Sequence, residues 1–154
     1  ELESLVPNIR EITGNIIMPG FTAPKVMWVR EHEPAHFEQI HKVLLPKDYL
    51  RFLMTGDFAS DMSDAAGTMW LDVAKRDWNI EVLEATGLTR EQMPQLYEGN
   101  SITGYLSESI AEQWGMNSIP VIAGGGDNAA GALGVGIVNN GQAMLSLGTS
   151  GVYF

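Results

Sequence analysis

Residues 121–154, VIAGGGDNAAGALGVGIVNNGQAMLSLGTSGVYF, hold nine of the chain's 17 glycines and a single charged group, the carboxylate of Asp127. Glycine backbone lets a ligand approach the main chain closely and leaves N–H groups free, so one acid set in such a segment marks a candidate site. The run PVIA before it has strand character, 128–133 has helical character, and AMLSLGTSGVYF at 143–154 reads as a β-hairpin. Asp127 therefore falls where a strand gives way to a helix. There the free N–H groups of the first turn and the helix dipole favour its ionised form.

Outward from that segment, the 154 residues are 45% hydrophobic and 18% charged, a composition suited to one soluble globular unit with a real core. Nineteen acids against nine Lys and Arg give a net charge of −10, which argues against nonspecific binding to nucleic acid or anionic membranes. Small molecules or proteins are the expected partners. Cysteine is absent, which excludes disulfides and thiolate metal sites, and no signal segment opens the chain, so a cytoplasmic location is expected. The uncharged stretch 128–154 is not read as a membrane span, because Asn128, Asn139, Asn140, Gln142, Ser146, Thr149 and Ser150 interrupt it. Glu1 is not an initiator Met and Phe154 follows directly on a strand-like run, so the chain is expected to be a fragment.

Along the chain the spacing predicts a helix over about 23–32 behind Thr22, a shorter one from Pro34 through Phe37 and Ile40, and a short strand at 43–45. PKDYLRFLMTG (46–56) predicts a helix ended by Gly56, while 58–78 reads as an ordered loop. Helices are predicted at about 79–86, stopped by Gly87, and at about 90–97, where Thr89 and Gln92 form a capping box. TGYLS (103–107) should be extended, 108–114 helical up to Gly115, and 120–123 a buried strand. The sum is one mixed α/β unit with helices in the majority.

Three motifs bear on chemistry. His32-Glu33-Pro34-Ala35-His36 matches the HExxH zinc pattern, but that chemistry needs one continuous helix and Pro34 would clash within it, so two surface histidines at a helix junction are expected. GGGDNA fits a relaxed dinucleotide fingerprint, yet no acid follows Asp127 to hold a ribose. The third reading joins Asp127 to the turn Gly148-Thr149-Ser150-Gly151, whose N–H groups can form an anion nest for phosphate. With no Lys or Arg nearby in sequence, Mg²⁺ would help meet a nucleotide's charge, and Asp127 would accept the proton of a substrate hydroxyl attacking a γ-phosphoryl group. The structural alternative, Asp127 as a simple N-cap and GTSG as an ordinary hairpin turn, stays open at this point.

GGGDNAAGALG followed by AMLSLGTSGVYF closely resembles the FGGY family of carbohydrate kinases, and the resemblance continues through ITGNIIMPGFTAPKVMWVREHEP, KVLLPKDYLRFLMTGDFASDMSDAAGTMWLDVAKRDW and ITG near residue 102. It covers essentially the whole chain. The resemblance implies an α/β fold of the actin-like (ribonuclease H-like) ATPase type, with a mixed sheet and several helices. Residues 1–154 then form one unit, the later part of the N-terminal kinase domain, without the first phosphate-binding hairpin and the C-terminal domain. It implies ATP with Mg²⁺ and a small sugar as ligands, D-xylulose first and ribulose, gluconate or glycerol as alternatives; a noncatalytic sugar-binding fragment is the other reading, and no residue is assigned to a metal. By match to the family motif, Asp127 is the catalytic base, Asn128 its sugar-binding neighbour, and Gly148 and Thr149 part of a phosphate-binding turn. Asp61-Met62-Ser63 through Gly67-Thr68 matches a segment near the sugar pocket, with a purely structural role for its hydrogen bonds equally open. Exposed sheet edges left by the missing hairpin make a homodimer possible.

Overall fold

A computed structural model of the chain describes residues 1–149 and 151–154; Ser150, part of the predicted phosphate turn, lies outside the described residues. Two short helices open it, α1 (Leu2–Leu5) and α2 (Ile9–Thr13), followed by α3 (Thr22–His32), α4 (Pro34–Phe37) and α5 (Pro46–Thr55). Strand β1 (Ala59–Asp61) runs into α6 (Met62–Ala65) and a 3₁₀ turn, then come β2 (Leu71–Asp72), β3 (Asp77–Trp78) and α7 (Ile80–Thr86). The second half comprises β4 (Gln95–Tyr97), β5 (Ile102–Tyr105), α8 (Glu108–Trp114), β6 (Pro120–Ile122), α9 (Asp127–Gly134), β7 (Leu145–Leu147) and β8 (Gly151–Tyr153). The strands form two-stranded ladders, β1 with β4 parallel and β2–β3, β5–β6 and β7–β8 antiparallel.

Local chemistry explains the helix ends. Pro34 and Pro46 occupy first-turn positions of α4 and α5, where a missing N–H costs nothing. Asn79 accepts the Val82 N–H at the start of α7, and Gly56, Gly87 and Gly115 close α5, α7 and α8 in the left-handed conformation. The core gathers Val6 and Ile9 from the opening helices, Met69, Trp70 and Leu71 after α6, and Val82, Leu83 and Leu88 around α7. Trp70 is fully buried and its indole N–H donates to Thr86 Oγ1 at 2.9 Å, so its one polar atom is satisfied.

Several expectations are corrected. Residues 43–45 form no strand; Val43 N–H makes a single bond to the Gln92 carbonyl and the chain then enters α5. The segment 58–78 is not a loop but β1, α6, a 3₁₀ turn, β2 and β3, nucleated by caps and ladders too short to leave a periodic signature. The capping box at Thr89 and Gln92 is present, but it opens only the 3₁₀ turn Arg90–Gln92, and Met93 returns to extended backbone that leads through Pro94 into β4. Strand β6 exists but is not buried, because its ladder with β5 leaves Ile102 and Ile122 on an exposed face. In α5 the buried residues are Asp48 and Arg51, while Tyr49, Leu50 and Leu53 are exposed. Arg51 is drawn inward by Thr103 Oγ1 at 2.8 Å and the Asp57 carbonyl at 2.6 Å.

Candidate active site

The strand-to-helix junction is shaped by close backbone approach. After β6 and the buried Ala123, Gly124 adopts φ +91° and donates its N–H to the Gly99 carbonyl at 3.0 Å. A Cβ on Gly99 would stand 2.4 Å from the Gly124 carbonyl oxygen, and one on Gly124 would meet the Lys47 side chain at 3.2 Å. Glycine is therefore required where the two segments cross.

Helix α9 starts immediately afterwards. Gly126 occupies the N-cap position and Asp127 the first helical one, so the simple N-cap reading of Asp127 does not hold. Its Oδ1 accepts the Asn128 backbone N–H at 2.7 Å and the Asn128 side-chain amide at 3.2 Å. Among the described residues Oδ2 accepts no hydrogen bond, and the residue is exposed. One carboxylate oxygen is thus held and the other faces outward, an arrangement that can accept a proton from a bound alcohol. Beside the junction opens a cleft of about 680 Å³ lined by Asp61, Ser63, Glu98, Asn100, Gly125, Ala129 and Leu133 among others; Asp127 itself is not in its wall.

Behind the junction lies a charged cluster. Lys47 Nζ is 2.6 Å from Asp48 Oδ1, 2.9 Å from Asp61 Oδ1 and 3.6 Å from Asp64 Oδ2, and it reaches the Ala123 carbonyl at 3.4 Å. The contact with Asp61 is a charge pair. Asp61 Oδ2 accepts the N–H groups of Ser63 at 2.8 Å and Asp64 at 3.2 Å, capping α6, and also accepts the Ser63 hydroxyl. The Ser63 oxygen in turn accepts the Gly126 N–H at 3.0 Å.

Burial alone would push the Asp61 carboxyl up, but Ser63, the Lys47 ammonium and the Asp64 N–H together hold it below the usual carboxylate range. For Lys47 burial works downward, and the neighbouring Asp48 and Asp61 outweigh it and raise the ammonium above its ordinary value. Asp64 is raised, first by burial and then by the charges of Asp48 and Asp61, with Lys47 opposing. Sequence reading missed Lys47 and Asp48. Only their place at the start of a helix distinguished them, since apart from Asp48 itself the partners of Lys47 lie 14 to 76 positions away along the chain.

The structure brings Asp127 and Asn128 together. Gly148 and Thr149 follow β7 on an exposed hairpin and share no hydrogen bond with them among the described residues. At the HExxH motif, α3 ends at His32 and α4 begins at Pro34; His32 stacks on Trp28 and His36 pairs with Glu33 at 2.9 Å. Among the described residues no group of three or more His, Cys, Asp or Glu could hold a metal ion, and no helix is long and apolar enough to cross a membrane.

Solved structures superpose closely on this arrangement. The crystal structure of a "xyloylose kinase" from Brucella ovis shares 55% identity at a TM-score of 0.91, over 96% of this chain and 31% of that one. A gluconate kinase from Lactobacillus acidophilus shares 26% identity at a TM-score of 0.90, over 96% of this chain and 30% of that one. The fold is accordingly that of the actin-like (ribonuclease H-like) ATPase domains found in sugar kinases. Residues 1–134 match the model of the FGGY family of carbohydrate kinases, N-terminal domain, and the chain belongs to that family. The match includes Asp127 and Asn128 and ends before the β7–β8 hairpin. Xylulose kinase from Escherichia coli (strain K12) is 70% identical over 99% of this chain and 32% of its own length. The chain thus spans about a third of the curated relatives it matches.

Proposed function

We propose that the full-length protein transfers the γ-phosphoryl group of ATP to a hydroxyl of D-xylulose, giving D-xylulose 5-phosphate, with Asp127 as general base. The observation that carries this reading is Asp127 itself: an exposed carboxylate with one oxygen tied to Asn128 and the other free, at a glycine-built strand-to-helix turn, in a chain 70% identical to a xylulose kinase. The free oxygen accepts the hydroxyl proton as the nucleophile forms, and Asn128 orients the carboxylate and the sugar beside it. Gly148 and Thr149 would offer backbone N–H groups to the phosphates of bound ATP, and Mg²⁺ bound with the nucleotide would neutralise their remaining charge. Residues 1–154 act as one unit, the later part of the N-terminal domain, and the remainder of the protein completes the site. A cytoplasmic location fits an enzyme that consumes ATP.

The fold alone does not select the sugar, because a gluconate kinase superposes nearly as well as a xylulose kinase. Preference for D-xylulose rests on sequence identity. Turnover by the full-length enzyme with D-xylulose, D-ribulose, gluconate and glycerol tests it: kcat/KM is expected to be highest for D-xylulose, and a higher value for any other acceptor would overturn the assignment.

A further inference from the structure

Three consecutive glycines, Gly124 to Gly126, immediately precede Asp127, and such backbone has little conformational preference of its own. Its geometry must come from tethers. Among the described residues, apart from the bonds of α9 itself, these are few: Ala123 N–H to the Ser101 carbonyl and Gly124 N–H to the Gly99 carbonyl, both at 3.0 Å, the Ala123 carbonyl to Lys47 at 3.4 Å, and Gly126 N–H to Ser63 Oγ at 3.0 Å. Two of the four belong to one connected group, and the Ser63 bond is the one that holds Gly126. Gly126 N–H donates to the Ser63 hydroxyl, that hydroxyl donates to Asp61 Oδ2, and Asp61 Oδ1 lies 2.9 Å from the Lys47 ammonium. Each donor finds an acceptor, and the charge pair fixes the direction of the chain of bonds. Asp61 is itself buried and held by the α6 N–H groups it caps, so Ser63 is presented from a rigid base.

We infer that Ser63, oriented by Asp61 and Lys47, is a positioning residue for Asp127: it pins the N-cap Gly126 and so sets the direction in which α9 presents the catalytic carboxylate. This rests on the general-base reading of Asp127. Ser63 is exposed, so its replacement removes the tether without opening a cavity in the core. Loss of the hydroxyl frees the glycine segment and lets Asp127 sample directions that do not face the substrate hydroxyl, a change felt in turnover rather than in nucleotide affinity.

The test is a double-mutant cycle in the full-length enzyme. Ser63→Ala is expected to lower kcat about tenfold, the scale of one positioning hydrogen bond, with KM for ATP within about twofold of wild type. Ser63→Thr, which keeps a hydroxyl, should recover most of the lost rate. In an Asp127→Ala background Ser63→Ala should change the residual rate by less than about twofold, because a residue that acts through Asp127 has nothing left to position. Unchanged kcat in Ser63→Ala, or a further tenfold loss in the Asp127→Ala background, would overturn the inference while leaving the general base in place. Near-normal turnover in Asp127→Ala alone would instead remove the general base, and this positioning role with it.

Discussion

Around Lys47 three carboxylates share one ammonium group, and they do not share it equally. Asp61 is held below its usual range and Lys47 above its own, so both favour the folded state in their charged forms. The Asp61 contribution is complete above its unfolded value of about 3.9 and is lost as pH falls through its lower folded value; the Lys47 contribution is complete below about 10.4 and is lost as pH rises through its higher folded value. Asp64 is raised, so its ionisation costs stability once pH passes its unfolded value and approaches the folded one. Asp64→Asn is therefore expected to raise Tm at pH 7 by about 2 °C, with the gain shrinking as pH approaches 4, measured by thermal unfolding across that range. A lower Tm at pH 7 would mean that the Lys47 contact at 3.6 Å outweighs the cost of burial and the repulsion from Asp48 and Asp61. The place of Asp127 at a strand-to-helix junction was legible from sequence, because a strand-like run and glycines precede it and a helix-spaced run follows. The Lys47 cluster was not, since an ordinary Pro-Lys-Asp helix start shows nothing of partners near residues 61 and 123.

Among the elements, those with strong punctuation were readable. Gly56, Gly87 and Gly115 end α5, α7 and α8 where expected, and the β7–β8 hairpin pairs Leu145 with Tyr153 and Leu147 with Gly151. Elements of two to four residues between 58 and 78 were not, because a period of 2.0 or 3.6 cannot be established over so few positions. Which face of α5 is buried was not legible either: Tyr49, Leu50 and Leu53 face outward, while Arg51 is held inward by bonds to Thr103 and Asp57 that helical spacing does not encode. The crossing of the 98–100 segment with the glycine turn gives the sharpest prediction at this scale. Gly99→Ala places a Cβ 2.4 Å from the Gly124 carbonyl, contact with backbone that cannot rotate away. Destabilisation of about 1–3 kcal/mol is expected, read from the denaturant midpoint at unchanged m, together with reduced kcat as the turn before Asp127 shifts. Wild-type stability and turnover in Gly99→Ala would show that the crossing is looser than the geometry indicates.

For the whole molecule, the exposed surface carries a consequence. Leu147 and Tyr153 are 77% and 80% exposed on a hairpin that pairs with no other strand among the described residues, and Ile102, Ile122, Leu50 and Leu53 add further apolar area. The isolated 154-residue chain is accordingly expected to self-associate as concentration rises, by strand pairing or apolar contact, with light scattering as the check. A single monomer mass at high concentration would contradict this. Asp127 in that isolated chain is exposed to water, which favours solvation of the carboxylate over an enclosed phosphoryl transfer, so no D-xylulose-dependent ADP formation is expected from it.

The central claim, that Asp127 takes the proton of the sugar hydroxyl, is tested most directly by Asp127→Ala in the full-length enzyme. Single-turnover phosphorylation of D-xylulose should fall by about 10²–10⁴, the usual contribution of a general base, while the Kd for Mg-ATP stays within about twofold of wild type. Phosphoryl transfer at a near-normal rate in that variant would contradict the account.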